Sequence, residues 1–85
     1  MMTISQLRSR IDVLDELILH LLNQRAAAAQ QIGRLKKQER LEVKDAGREA
    51  AVLAHVVEQN QGPLTADQVT VIFHHIMAGC RDLQR

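Results

Sequence analysis

The chain has 85 residues, 46% of them hydrophobic and 25% charged, with 11 basic against 10 acidic side chains and a formal net charge of +1. Such a balance excludes a disordered tail and gives little long-range pull on polyanions; with no Trp or Tyr and one Phe there are no aromatic platforms for stacking bases, so nucleic acid is not an expected partner. Cys80 is the only cysteine, which rules out an internal disulfide and a cysteine-based zinc cage, and no apolar run is long enough to cross a membrane.

A reducing, cytoplasmic setting is the default, because the N-terminus lacks the basic-then-apolar plan of a signal peptide. Residues 1–85 make one domain. A chain this short buries a modest core, so a partner subunit would stabilise it.

Thr3 and Gln6 have the spacing of a capping box. After them an apolar seam alternates steps of three and four through Ile4, Leu7, Ile11, Leu14, Ile18 and Leu21, then continues after position 25 with Ala28, Ile32 and Leu35. This predicts one helix to about residue 36. At 1.5 Å per residue it spans roughly 50 Å, far more than a compact domain of this size accommodates. Most of it must therefore lie against something outside its own chain.

A polar stretch, Lys37 to Lys44, separates it from a shorter helix capped by Asp45, with Ala50, Leu53, Val56 and Val57 turned inward. The run NQGPLT ends that helix: Gly62 terminates, Pro63 blocks continuation, and Thr65 with Gln68 opens a third helix through a second capping box, with Leu64 stapled to Val69. The third helix is expected to bury Val69, Phe73, Ile76, Cys80 and Leu83. With no strand pattern, the class is all-α, one long and two shorter helices, and pairing two copies into a helical bundle covers the elongated apolar surface most economically.

One position of the seam is a cation, Arg25. Lys36, eleven residues on, projects within about 20° of it and lies about 16 Å further along the helix, with Ala29 and Ile32 between them. Two long cations flanking small and aliphatic residues describe a slot for a compact anion. The competing explanation is an ion pair between Arg25 and an acid across the bundle, since buried charges are usually paired. Asp45, Arg48 and Glu49 cluster in the first turn of the second helix, where capping and dipole effects alone account for the acids. Arg8 is about 100° round the helix from Arg25 and about 25 Å away, so it could serve the slot only from a second copy. Cys80 and Gln84 share a face of the third helix; a lone cysteine in an apolar stripe is most often simply a small buried hydrophobe. His20, His55, His74 and His75 show no ligand spacing, so no metal is expected.

The segments LRSRIDVLDELILHLLNQR, IGRLKK, VKDAGRE and IFHHIMAGCRDLQ together resemble the all-helical class of chorismate mutase over nearly the whole chain. The most specific part of the resemblance is the ordered set Arg8, Arg25, Lys36, Asp45, Arg48, Glu49 and Gln84. It implies an intertwined homodimeric helical bundle with two active sites that convert chorismate to prephenate. It further implies that Arg25 grips a substrate carboxylate while Arg8 reaches in from the other subunit. Lys36 and Gln84 would face the ether oxygen whose bond breaks. Glu49 and the backbone around Asp45 would hold the ring hydroxyl, with Arg48 completing the electrostatic lining. Arg25, Lys36, Gln84 and Glu49 are the catalytic candidates, and these four together with Arg8, Asp45, Arg48 and Cys80 are the substrate-binding ones.

Such a rearrangement breaks one carbon–oxygen bond and forms one carbon–carbon bond within a single molecule, so the resemblance implies no metal and no cofactor. A pocket that selects the compact conformer and stabilises charge growing on the ether oxygen suffices. Gln84, being neutral, can donate over a broad pH range where a glutamate would first need a proton. Two departures matter. Cys80 falls where many members carry a serine that donates to a carboxylate, and a thiol donates poorly, so lower affinity is expected. Lys44 stands where an arginine is common, and Gly47 loosens the start of the second helix, so the segment from Lys37 to Lys44 is expected to order on binding. Two alternatives stay open: an isochorismate pyruvate-lyase with the same architecture, and a non-catalytic helical dimerisation or ligand-sensing module.

Overall fold

The computed structural model describes residues 1–84, folded as three helices: α1 (Ile4–Glu39), α2 (Ala46–Gln59) and α3 (Ala66–Asp82). Among the described residues there is no strand. Both predicted capping boxes form. Thr3 Oγ1 accepts from the Gln6 amide at 3.1 Å while Gln6 Oε1 accepts from the Thr3 amide at 2.9 Å, and Thr65 with Gln68 repeats the pattern at 3.2 and 3.0 Å. Each box satisfies two donors that a helix start otherwise leaves unpaired.

α1 runs past the expected end near residue 36, because Lys37, Gln38 and Glu39 are good helix formers with nothing to stop them. It closes on Arg40, which adopts a left-handed conformation at φ 57°, and the Leu41 amide donates back to the Lys36 carbonyl at 2.7 Å. Asp45 caps α2 as expected, its carboxylate accepting from the Arg48 amide at 2.9 Å. The turn into α3 is tied by Asn60, whose Nδ2 donates to the Leu64 carbonyl at 2.7 Å and whose Oδ1 accepts from the Gly62 amide at 3.1 Å.

α3 packs on both α1 and α2, which share no direct packing with each other. The buried residues are Ala29 and Gly33 on α1 and Val69, Met77 and Cys80 on α3. Leu83, expected inside, is exposed, and Met77 takes the inward place instead, one turn before Cys80 on the same stripe. On α2 the expected Ala50 is exposed, while Val52, Leu53, Val56 and Val57 are half-buried.

The molecule measures 56 × 23 × 15 Å with a radius of gyration of 16.0 Å, against about 12 Å for a compact chain of this length. The excess comes from the first half of α1. From Ile4 to Leu21 the seam touches no other helix closely enough to be covered, and Ile11, Leu14 and Ile18 stay about half exposed. Among the described residues no helix is long and apolar enough to cross a membrane.

Candidate active site

Where the second half of α1, the first turn of α2 and the last turns of α3 converge, they enclose a cavity of about 420 Å³ that is partly open to solvent. This is within the range of small-molecule sites. Ala28, Ala29, Ile32, Val43, Val52 and Met77 form its apolar wall. Of the eight residues singled out from the sequence, seven line it: Arg25, Lys36, Asp45, Arg48, Glu49, Cys80 and Gln84. Arg8 does not; it is exposed on the free half of α1.

The α1 contribution follows from helical spacing. Arg25, Ala28, Ala29, Ile32 and Lys36 repeat at three and four residues and so fall on one stripe, which faces the cavity. Arg25 is half-buried and takes part in no ion pair among the described residues, so no acid of this chain's described residues accounts for it. Lys36 is half-buried and donates from Nζ to the Val43 carbonyl at 2.8 Å. That bond holds the connection between α1 and α2 over one side of the cavity.

Asp45 and Arg48 come from the capped start of α2, and Glu49 follows one residue on. Glu49 is not merely an acid favoured by the helix dipole. It accepts two hydrogen bonds from Nη1 of Arg81, at 2.7 Å to Oε1 and 3.1 Å to Oε2, across the gap between α2 and α3. Arg81 is a cavity-lining residue that the sequence reading missed. Its signal was available: Met77, Cys80, Arg81 and Gln84 stand at intervals of three, one and three, which is one face of a helix.

Cys80 is buried as a free thiol on the cavity wall. Gln84 lies just beyond α3, its amide bonded to the Arg81 carbonyl at 3.0 Å. Among the described residues its side-chain Oε1 is buried with no hydrogen-bond partner. An orphaned buried polar atom costs roughly 1–3 kcal/mol until something pairs with it, and a half turn of the amide would present its donor in the same place. The seat that brings Gln84 here is Gly33 of α1: a Cβ at position 33 would stand 2.7 Å from Gln84 Cα.

The cavity thus carries four cations, Arg25, Lys36, Arg48 and Arg81, against two carboxylates, Asp45 and Glu49, an excess of two positive charges. Such an arrangement can bind a compact dianion and stabilise negative charge that develops within it. Among the described residues no group of three or more His, Cys, Asp or Glu side chains is gathered as a metal site would require.

Three helices around a cationic, partly apolar cavity define an all-helical domain. The chain belongs to the family described as chorismate mutase type II, whose model matches residues 7–85. It is 40% identical over 84 residues to the bifunctional chorismate mutase/prephenate dehydratase of Stutzerimonas stutzeri, and 40% identical over 84 residues to the protein of that name from Pseudomonas aeruginosa. Each comparison covers 93% of this chain and 23% of the relative, so the chain spans about a quarter of the length of these curated relatives. Among solved structures it is similar to chorismate mutase (Form II) from Thermus thermophilus, with a TM-score of 0.94 and 33% identity, covering 95% of this chain and 92% of that one.

Proposed function

We propose that this chain, as a single domain over residues 1–85, rearranges chorismate to prephenate. The observation that carries the reading is the cationic cavity itself: Arg25, without an acidic partner among the described residues, shares one enclosed space with Lys36, Arg48 and Gln84. Membership of the type II family supports it independently.

In this reading the cations bind the two substrate carboxylates, Arg25 taking one of them, and hold the ether side chain over the ring. The geometry converts a floppy molecule into a near-attack conformer, which is where much of the acceleration arises. As the carbon–oxygen bond breaks and the new carbon–carbon bond forms, negative charge grows on the ether oxygen. Lys36 and Gln84 donate to it, and because they strengthen as that charge develops they favour the transition state over the substrate. Lys36 gives up the Val43 carbonyl to do so, which frees the connection between α1 and α2 to settle on the ligand. Glu49 accepts from the ring hydroxyl, the backbone at Asp45 flanks it, and Arg48 adds to the positive lining. All atoms of the substrate remain in the product, so no other group need be supplied.

The working form in this reading is a homodimer. The uncovered apolar seam of α1, from Ile4 to Leu21, supports it, since a second copy of the same helix would bury that seam, and Arg8 on the same segment would then enter the partner's cavity. We assign the enzyme to the cytoplasm; its free thiol and its kinship to biosynthetic enzymes support that assignment.

Incubating the purified protein with chorismate and, separately, with isochorismate tests the activity. Prephenate from chorismate is the expected product. Release of pyruvate from isochorismate, with chorismate untouched, would assign the lyase reaction instead, and no product from either would leave a binding module.

A further inference from the structure

Arg81 is paired with Glu49 inside the cavity, and the pair poses an electrostatic question. A dicarboxylate must approach a wall that contains the Glu49 carboxylate, and like charges close together in a partly desolvated site disfavour binding. We infer that Arg81 is a positioning and charge-compensating residue: it neutralises Glu49 so that the cavity admits a dianion, while fixing the Glu49 oxygens to accept from the substrate hydroxyl. This inference rests on the mutase reading above.

Three observations carry it. Both side chains line the cavity, so the pair is part of the ligand's surroundings rather than a surface clasp. A single guanidinium nitrogen, Nη1, makes both bonds, at 2.7 and 3.1 Å, which orients the carboxylate from one side. An ionised carboxylate offers about four lone-pair sites, so sites remain for a hydroxyl after Arg81 has taken its two. Third, the charge tally depends on this residue. With Arg81 the cavity has two net positive charges, matching a dianion; without it there is one, and an uncompensated carboxylate faces the ligand. The pair is about a quarter exposed on each side, so the desolvation of two charges offsets much of their attraction, its net contribution to fold stability is small, and its effect falls chiefly on binding.

The test compares Arg81→Met, Glu49→Gln, their combination and Arg81→Lys, each checked for an unchanged helical signal, by steady-state turnover of chorismate. Charge compensation predicts that Arg81→Met raises KM roughly 10-fold, while the lost orientation of Glu49 lowers kcat by no more than Glu49→Gln does. Arg81→Lys should recover most of the affinity. The combined variant should bring KM back to within about 3-fold of wild type, because the unpaired negative charge is gone, while kcat stays at the Glu49→Gln level. A purely structural strut predicts no such rescue.

Should Arg81→Met fail to fold, Arg81→Gln takes its place in the same comparison. An unchanged KM in the charge-removed variant, or a combined variant as weak as Arg81→Met alone, overturns the inference while leaving the mutase reading intact. A wild-type protein that leaves chorismate unchanged removes the mutase reading, and this inference with it.

Discussion

Gly33→Ala separates the placement of Gln84 from the stability of the fold. Gly33 is buried in the middle of α1, where alanine is the better helix former by about 1 kcal/mol. The added Cβ, however, would stand 2.7 Å from Gln84 Cα and 3.0 Å from both its Cβ and its carbonyl oxygen, whereas ordinary contacts begin at 3.4 Å. Something must shift, and restoring ordinary contact with Gln84 Cα takes about 0.7 Å. Around Gly33 α1 is a continuous helix held by its own backbone hydrogen bonds, while Gln84 lies past the last residue of α3 and is tied by the bond of its amide to the Arg81 carbonyl. The end of the chain yields first, carrying the Gln84 side chain away from the cavity. A misplacement of about 1 Å at a reacting centre can cost on the order of 100-fold, so kcat should fall roughly 10- to 100-fold while the thermal midpoint stays level or rises. Chorismate turnover and thermal unfolding followed by circular dichroism, with Gln84→Ala as the reference, measure both. If Gly33→Ala keeps wild-type kcat while Gln84→Ala loses it, the idea that Gly33 seats Gln84 is wrong.

Other substitutions address other parts of the account. Lys36→Ala removes a donor aimed at the developing oxyanion and should lower kcat by about 10²–10³, a barrier change of roughly 2.7–4 kcal/mol, with the helical signal intact; near wild-type turnover would mean the ether oxygen lies elsewhere. Arg25→Leu replaces a seam cation that has no acidic partner among the described residues with an apolar group, so thermal stability should hold or rise as turnover disappears. A large loss of stability would instead point to a structural partner for Arg25. Ile18→Glu places a charge in the uncovered seam of α1, and sedimentation should show the dimer shifted to monomer, with activity lost in parallel because Arg8 no longer reaches a partner's cavity. A monomeric wild type at micromolar concentration contradicts that expectation.

Much of the fold was legible because its signals are local. The two Thr-x-x-Gln boxes, the alternating seam and Asp45 as a cap each depend on residues within a turn of one another, and each formed. Arg25 and Lys36 were legible for the same reason, since one helix sets their mutual direction. The end of α1 was not, because Arg40 takes a left-handed cap that glycine would ordinarily announce. Met77 displaced Leu83 from the interior because the stripe facing two neighbours at once is set by their positions rather than by hydropathy alone. Arg81 escaped because its partner, Glu49, is 32 residues away, and a cation near a chain end reads as solvated until the third dimension is known. Gly33 carried a hint in being the one glycine inside an otherwise well-formed long helix, yet what it accommodates, the backbone of Gln84, is equally a tertiary fact.

The most direct test of the central claim, a dicarboxylate gripped by fixed cations as it rearranges, is kcat/KM for prephenate formation by wild type and Arg25→Ala under identical conditions. The account predicts prephenate from the wild type and a loss of at least about 100-fold in the variant, which still folds. Equal rates from the two proteins, or no prephenate from either, would contradict it.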